Sequence, residues 1–184
     1  MAQLVTIDQV RKQIDDQSTD NTVELTLYIE AATDAVERHT GPIITREVTE
    51  QVNACGIGLP LTRMPVVGLT SITPALAGGL AVNVEDLTVD AEAGVLYRLD
   101  GGAFSGGPWT VTYTAGRGDS VPPTVQLATL LLIQHLWSTK YGASRGQGPS
   151  MDYSVNEPMP GFGYAIPNRV LTLLEPYQQP FGFA

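Results

Sequence analysis

Thiol chemistry is almost absent. Cys55 is the only cysteine in 184 residues, so no disulfide forms within the chain. A lone thiol suits a reducing compartment. Histidine is nearly as scarce. His39 and His135 are the two, far apart in sequence and with no second thiol to join them, so a zinc site lacks ligands. Basic side chains are few. Ten Lys and Arg stand against nineteen Asp and Glu, giving a net charge of −9. No stretch gathers Lys or Arg into a patch, which excludes a surface built to grip a phosphate backbone. No run approaches the ~18–20 apolar residues of a membrane span. The opening residues lack the positive-then-apolar pattern of a signal segment, so the expectation is a soluble protein made in a cytoplasm. The glycine pairs lack the phosphate-loop pattern and its lysine, and no nucleophile elbow occurs. The expectation is a protein that is not an enzyme and uses no cofactor and no metal.

What remains is ordinary core-forming material, with 43% hydrophobic residues. The length suits one domain, or one domain with an appendage. The charge is lopsided: residues 1–120 hold sixteen acids and seven Lys or Arg, whereas residues 121–184 hold three of each. An acidic body with a neutral, aromatic tail implies two kinds of surface.

Thr6 reads as a helix N-cap, and Gln9 completes a capping box before Ile7, Val10 and Ile14. Asn21 or Thr22 starts a second helix with Leu25, Tyr28, Ile29, Ala32, Ala35 and Val36 on one face. Gly41 and Pro42 end it. The period then changes. A strand around residues 44–52 is followed by β segments over 57–61, 66–73, 80–84, 87–89, 95–98 and 109–114, separated by turn residues. Glycines at 77–79 and 101–107 mark hairpin tips. Pro122 and Pro123 open a third helix whose residues Val125, Leu127, Ala128, Leu130, Leu131, Leu132, Ile133, Leu136 and Trp137 are apolar nearly all round. Such a helix is expected at the centre of a packed body. The fold class is therefore α+β: a small α-helical bundle with an inserted antiparallel β hairpin or sheet and an extended C-terminal arm. The helices are expected over 6–14, 22–40 and 122–141 around a β insertion over 43–116. The arm covers 142–184 and carries a short helix over 167–175.

Several features invite a chemical reading and carry a plainer one. His39 lies in the last turn of the second helix, where an imidazole suits the helix dipole. His135 sits among apolar residues, as a hydrogen-bonded core histidine does. Glu85, Asp86, Asp90 and Glu92 cluster between short strands without the spacing of a calcium loop, and read as a solvated acidic loop. Arg117-Gly118-Asp119 reads as a turn ahead of the third helix.

The arm is the most unusual feature. Tyr153, Phe162, Tyr164, Phe181 and Phe183 lie among glycines and prolines that cannot build a core of their own. Ile166, Val170, Leu173, Leu174 and Tyr177 fall on or beside its short helix. Such a segment packs on a neighbour, packs back on its own body or stays mobile; aromatic residues are favoured interface anchors, so all ten are read as candidate contacts to a partner.

Three segments together resemble the head-to-tail connector, or adaptor, family of long-tailed bacteriophages. One is Leu4 to Val10 with the second helix ending at Thr40-Gly41-Pro42. Another is the stretch from Leu61 through Pro65 to Ile72. The last is Val111 to Gly116, then Val121-Pro122-Pro123 and a helix ending in Trp137 and Tyr141. The match covers roughly residues 1–141. The resemblance implies a structural virion protein at the neck, between head and tail, made in a bacterial host. It implies a homo-oligomeric ring, commonly of about twelve subunits, docked under the portal protein. That ring extends the DNA channel, passes DNA without reading its sequence, and offers a platform to the next neck, stopper or tail protein. No membrane is involved. Two other readings remain open: another neck protein such as the stopper, which is mostly β, or a small ligand-binding module using the β segments as a pocket.

Overall fold

The computed structural model describes residues 3–16, 18, 20–76, 79, 81–105, 107–141 and 166–179. Among them are four α-helices and six β-strands, a mixed α+β architecture. The chain divides into two compact units. One contains the helices and comprises Met1–His39 and Val121–Gln178; the other contains the strands and comprises Thr40–Ser120 with the last residues from Gln179.

In the helical unit, α1 (Ile7–Ile14) starts with the expected capping box. Thr6 N–H donates to Gln9 Oε1 at 2.8 Å, and Gln9 N–H donates to Thr6 Oγ1 at 3.3 Å. Val5 and Val10 occupy the positions of a hydrophobic staple, and both are buried. The left-handed Asp15 (φ 53°) ends the helix, its N–H bonding back to Arg11. Next, α2 (Thr22–Thr40) takes its first backbone hydrogen bond at Asn21, whose carbonyl accepts from Leu25 N–H at 2.9 Å. The Asn21 amide itself donates to Asp16. Leu25, Ile29, Ala32 and Val36 are buried along one side of α2, as their spacing predicts.

The long helix α3 (Pro123–Tyr141) begins with Pro123 in its first turn, where no N–H is needed, and the Pro122 carbonyl accepts from Gln126. Val125, Ala128, Thr129, Leu132 and Ile133 are buried. The Tyr28 and Trp137 rings meet edge-on, 5.7 Å apart, and Gln13 donates to Gln134 at 2.8 Å. The all-round burial expected for α3 is incomplete. Leu127 is 46% exposed, and Leu130, Leu131 and Leu136 are half-buried. Too few helices surround it to cover every side. The short α4 (Asn168–Leu174) also packs on α3, followed by a 3-10 turn, Glu175–Tyr177.

The β unit contains two sheets where the sequence suggested one. In the larger, β6 (Trp109–Ala115) lies between β1 (Arg46–Val52) and β3 (Val66–Pro74), antiparallel to both. In the smaller, β5 (Val95–Arg98) lies between β2 (Gly58–Pro60) and β4 (Leu87–Asp90). Side chains alternate strictly along β6, so Trp109, Val111, Tyr113 and Ala115 all face one core with Leu59, Leu96 and Phe104. The segment over 80–84 was expected as a strand. Residues 81–83 have no regular structure, and Val84–Asp86 is a 3-10 turn; residue 80 lies outside the described residues. The apolar alternation there still has a cause, because Val82 and Val84 pack on the core without pairing to a strand. Gly116 follows β6 at φ 145°, where a Cβ would stand 2.5 Å from the Thr45 backbone, so only glycine fits.

Candidate functional site

The ten expected contact residues divide sharply. Tyr153, Phe162, Tyr164, Phe181 and Phe183 lie outside the described residues. On and beside α4, Val170 and Leu174 are fully buried, and Ile166, Leu173 and Tyr177 are half-buried. Positions 166, 170, 173, 174 and 177 recur at helical spacing, which puts them on one face. Because α4 packs on α3, Val170 and Leu174 belong to the helical core of their own chain. The sequence reading had set α4 apart with the arm because a long glycine- and proline-rich stretch precedes it.

The polar features have structural roles. Asp90 Oδ1 accepts from the N–H groups of Glu92 and Ala93, so it shapes the turn between β4 and β5. Asp86 accepts from the Asn83 amide at 3.3 Å. Arg117-Gly118-Asp119 is more than a turn. Arg117 N–H donates to the Ile43 carbonyl at 3.0 Å, and Thr45 N–H donates to the Gly118 carbonyl at 2.9 Å. His39 is exposed in the last turn of α2, and His135 is half-buried on α3. Among the described residues no three His, Cys, Asp or Glu side chains gather as metal ligands would. No helix among them is long and apolar enough to cross a membrane.

One polar network stands out inside the β unit. Tyr113, fully buried, donates its hydroxyl proton to Glu50 Oε1 at 2.8 Å and accepts from Arg63 N–H at 3.0 Å. The Thr62 N–H also reaches Glu50 Oε1 at 2.8 Å, and its hydroxyl donates to the other carboxylate oxygen. Burial, and then the Glu50 carboxylate, push the Tyr113 phenol above its ordinary range. The network fastens residues 61–65, which include the cis Met64–Pro65 bond, to the large sheet. Gly116 N–H on Pro65 O, and the Gln179 amide on Met64 O, hold the same segment at 3.0 Å each. This is a brace, buried at Tyr113 and open to solvent at Thr62.

Two surfaces carry apolar groups outward. On α2, Val23 is 77% and Leu27 61% exposed, four residues apart on one side. On the small sheet, Pro60, Val95 and Asp90 form one outward row, and Gly58, Tyr97 and Thr88 form the next. The Tyr97 ring lies over Gly58, where an added Cβ would sit 3.5 Å from Tyr97 Cε1 and 3.0 Å from Val95 Cγ1. Leu99, just past the strand, is 65% exposed. Beside it Arg98 is engaged by Asp100, with Nε to Oδ1 at 3.0 Å. That hydrogen bond, then the Gly102 N–H, lowers the Asp100 carboxyl to about 2. Both apolar rows were readable in principle: residues 23, 27 and 31 recur at helical spacing opposite the core face, and residues 95, 97 and 99 alternate.

The sequence matches the family model for head completion protein over residues 3–179. A chain in the neck of an empty gene transfer agent particle, computed with C6 symmetry, has the same fold: TM-score 0.65 at 22% identity, covering 98% of this chain and 92% of that one. A chain in the virion of a native gene transfer agent particle superposes with TM-score 0.59 at 18% identity and the same coverage. Comparison with curated proteins gives no significant match. With the family model spanning nearly every residue, the chain belongs to the head completion protein family, and its role is structural rather than catalytic.

Proposed function

We propose that this protein is a subunit of the neck at the head–tail junction of a virion, forming a ring beneath the portal that continues the DNA channel. The observation that carries the reading is the family match over residues 3–179. The fold likeness to a chain in a gene transfer agent neck supports the location. A ring of about twelve copies contains the six-fold axis used for that neck. Four helices among the described residues favour the adaptor over the mostly β stopper. The charge of −9 supports a channel that does not bind the DNA it carries, since like charges repel. The ring's other face would receive the next neck or tail protein.

Neighbouring copies would meet by heterologous contacts, in which one surface of each subunit meets a different surface of the next. Helix α4 is committed to its own core, so the aromatic side chains of residues 142–165 are the arm's share of that contact. Native mass spectrometry of the purified chain, alone and with portal rings, tests the reading. The expected result is a closed oligomer of about twelve, or a fixed-ratio complex with the portal. A monomer that leaves portal rings unbound would sink it.

A further inference from the structure

We infer that the outer face of the small sheet is the surface on which residues 142–165 of a neighbouring copy land. The inference rests on the ring reading, because a ring needs each copy to present one surface that gives and another that receives.

The receiving surface is contiguous. Pro60, Val95 and Tyr97 follow one another across β2 and β5, and Leu99 extends the line. Scattered exposed apolar residues are common on any protein, but a row ending in an aromatic ring laid over a glycine is a flat platform. Gly58 keeps it flat, since a Cβ there would crowd Val95 Cγ1 at 3.0 Å and touch the Tyr97 ring at 3.5 Å. Acids rim the platform: Glu85, Asp86, Asp90 and Glu92 are all exposed, and the nearby Arg98 is already held by Asp100.

The giving segment follows from chain length. Packed helices are usually joined by about 2–8 residues, yet α3 ends at Tyr141 and α4, packed on it, begins at Asn168. Residues 142–165 therefore exceed what the connection needs. Twenty-four residues span roughly 80 Å when extended, so a loop anchored at both ends reaches about half that distance, enough to cross to an adjacent subunit. Its chemistry matches the platform. Tyr153, Phe162 and Tyr164 offer rings, and Pro158 and Pro160 favour the extended form that docks on aromatic surfaces. Its charge is nearly balanced, Arg145 against Asp152 and Glu157, so the rings rather than the rim carry the match.

Cys55 provides the reporter. It is exposed and is the only thiol, and its N–H donates to the Gly58 carbonyl at 2.8 Å, one strand away from Tyr97. A fluorophore on Cys55 of the full chain is titrated with a synthetic peptide of residues 142–165, using a scrambled peptide as control. The expected result is a saturable signal below about 1 mM, weakened about tenfold or more by Tyr97→Glu and separately by Leu99→Asp. Leu99 lies outside the strand, so its variant keeps the sheet even if the other does not. No saturation by about 1 mM, or equal binding by wild type and both variants, overturns the inference. An inactive peptide beside an intact ring removes this contact and leaves the ring. A peptide that binds a chain unable to form any ring removes the neighbouring copy as its source.

Discussion

The two units of this chain close their cores in different ways. In the helical unit the last wall arrives late: Val170 and Leu174 of α4 complete a core whose other residues lie within 4–36 and 125–133. The residues buried there are mostly apolar. The β unit draws its core from residues 52–115 and fixes the segment over 61–65 with a part-buried polar brace. Apolar packing tolerates a change of shape and loses energy with each missing methylene. A buried hydrogen-bond network is less forgiving, because each orphaned group costs its full desolvation. The lesson is that one chain can pair a core sensitive to volume with a core sensitive to polarity.

Three measurements sharpen that contrast. The largest effect is expected from Leu174→Ala, which empties a fully buried site and should cost ~2–5 kcal/mol in urea unfolding. The two tryptophans report separately, Trp137 from the helical unit and Trp109 from the β unit. Followed in Trp→Phe backgrounds, the Leu174→Ala shift should appear first in the Trp137 signal. Equal shifts in both signals would mean that the two cores unfold as one. For the same reason, deletion of residues 150–184 should destabilise the helical unit rather than merely remove an arm.

Tyr113→Phe comes next. It keeps the ring and removes the hydroxyl, so the Arg63 N–H loses its acceptor and Glu50 loses one donor. The expected cost is ~1–3 kcal/mol, with the Trp109 signal shifting more than that of Trp137. A cost near zero would show that water takes the place of the lost hydroxyl.

The smallest effect concerns Asp100, which is fully exposed and pairs with Arg98. Its carboxyl titrates at about 2 when folded against an ordinary 3.8. A lowered folded value stabilises above the ordinary value, and the gain disappears as the pH falls through the folded one. Asp100→Asn should therefore lower the thermal midpoint slightly at pH 7. The gap between variant and wild type should narrow from about pH 4 and be gone near pH 2. A gap unchanged over that interval would remove the ion pair from the account.

Much of this was legible in the residues themselves. Thr6 with Gln9, Gly41 with Pro42, and the paired prolines at 122–123 are local signals, and they mark helix ends correctly because capping depends on neighbours a few positions away. Strands over 66–73, 95–98 and 109–114 were visible between their turn residues, each within a residue of its observed end. Less legible was anything that required knowing who packs on whom. Nothing local to Val170 and Leu174 says that α3 covers them, and nothing in 80–84 says that Val82 and Val84 bury without pairing. The split into two sheets was hidden for the same reason. The outward rows at 23–27 and 95–99 look like core until the true core is located. The family resemblance reached the right structural class because it drew on the order of segments along the whole chain.

The late closure of the helical core has a consequence for how the protein is made. When α3 leaves the ribosome, the face that α4 will cover is still bare, and twenty-six residues separate Tyr141 from Asn168. At ~5–20 residues per second, that wait lasts a few seconds. During it the nascent chain presents leucine and isoleucine to the cytoplasm, so premature termination in the arm would leave products that stick to one another. The interval between α3 and α4 is thus the step of synthesis at which this structural protein is most exposed to loss.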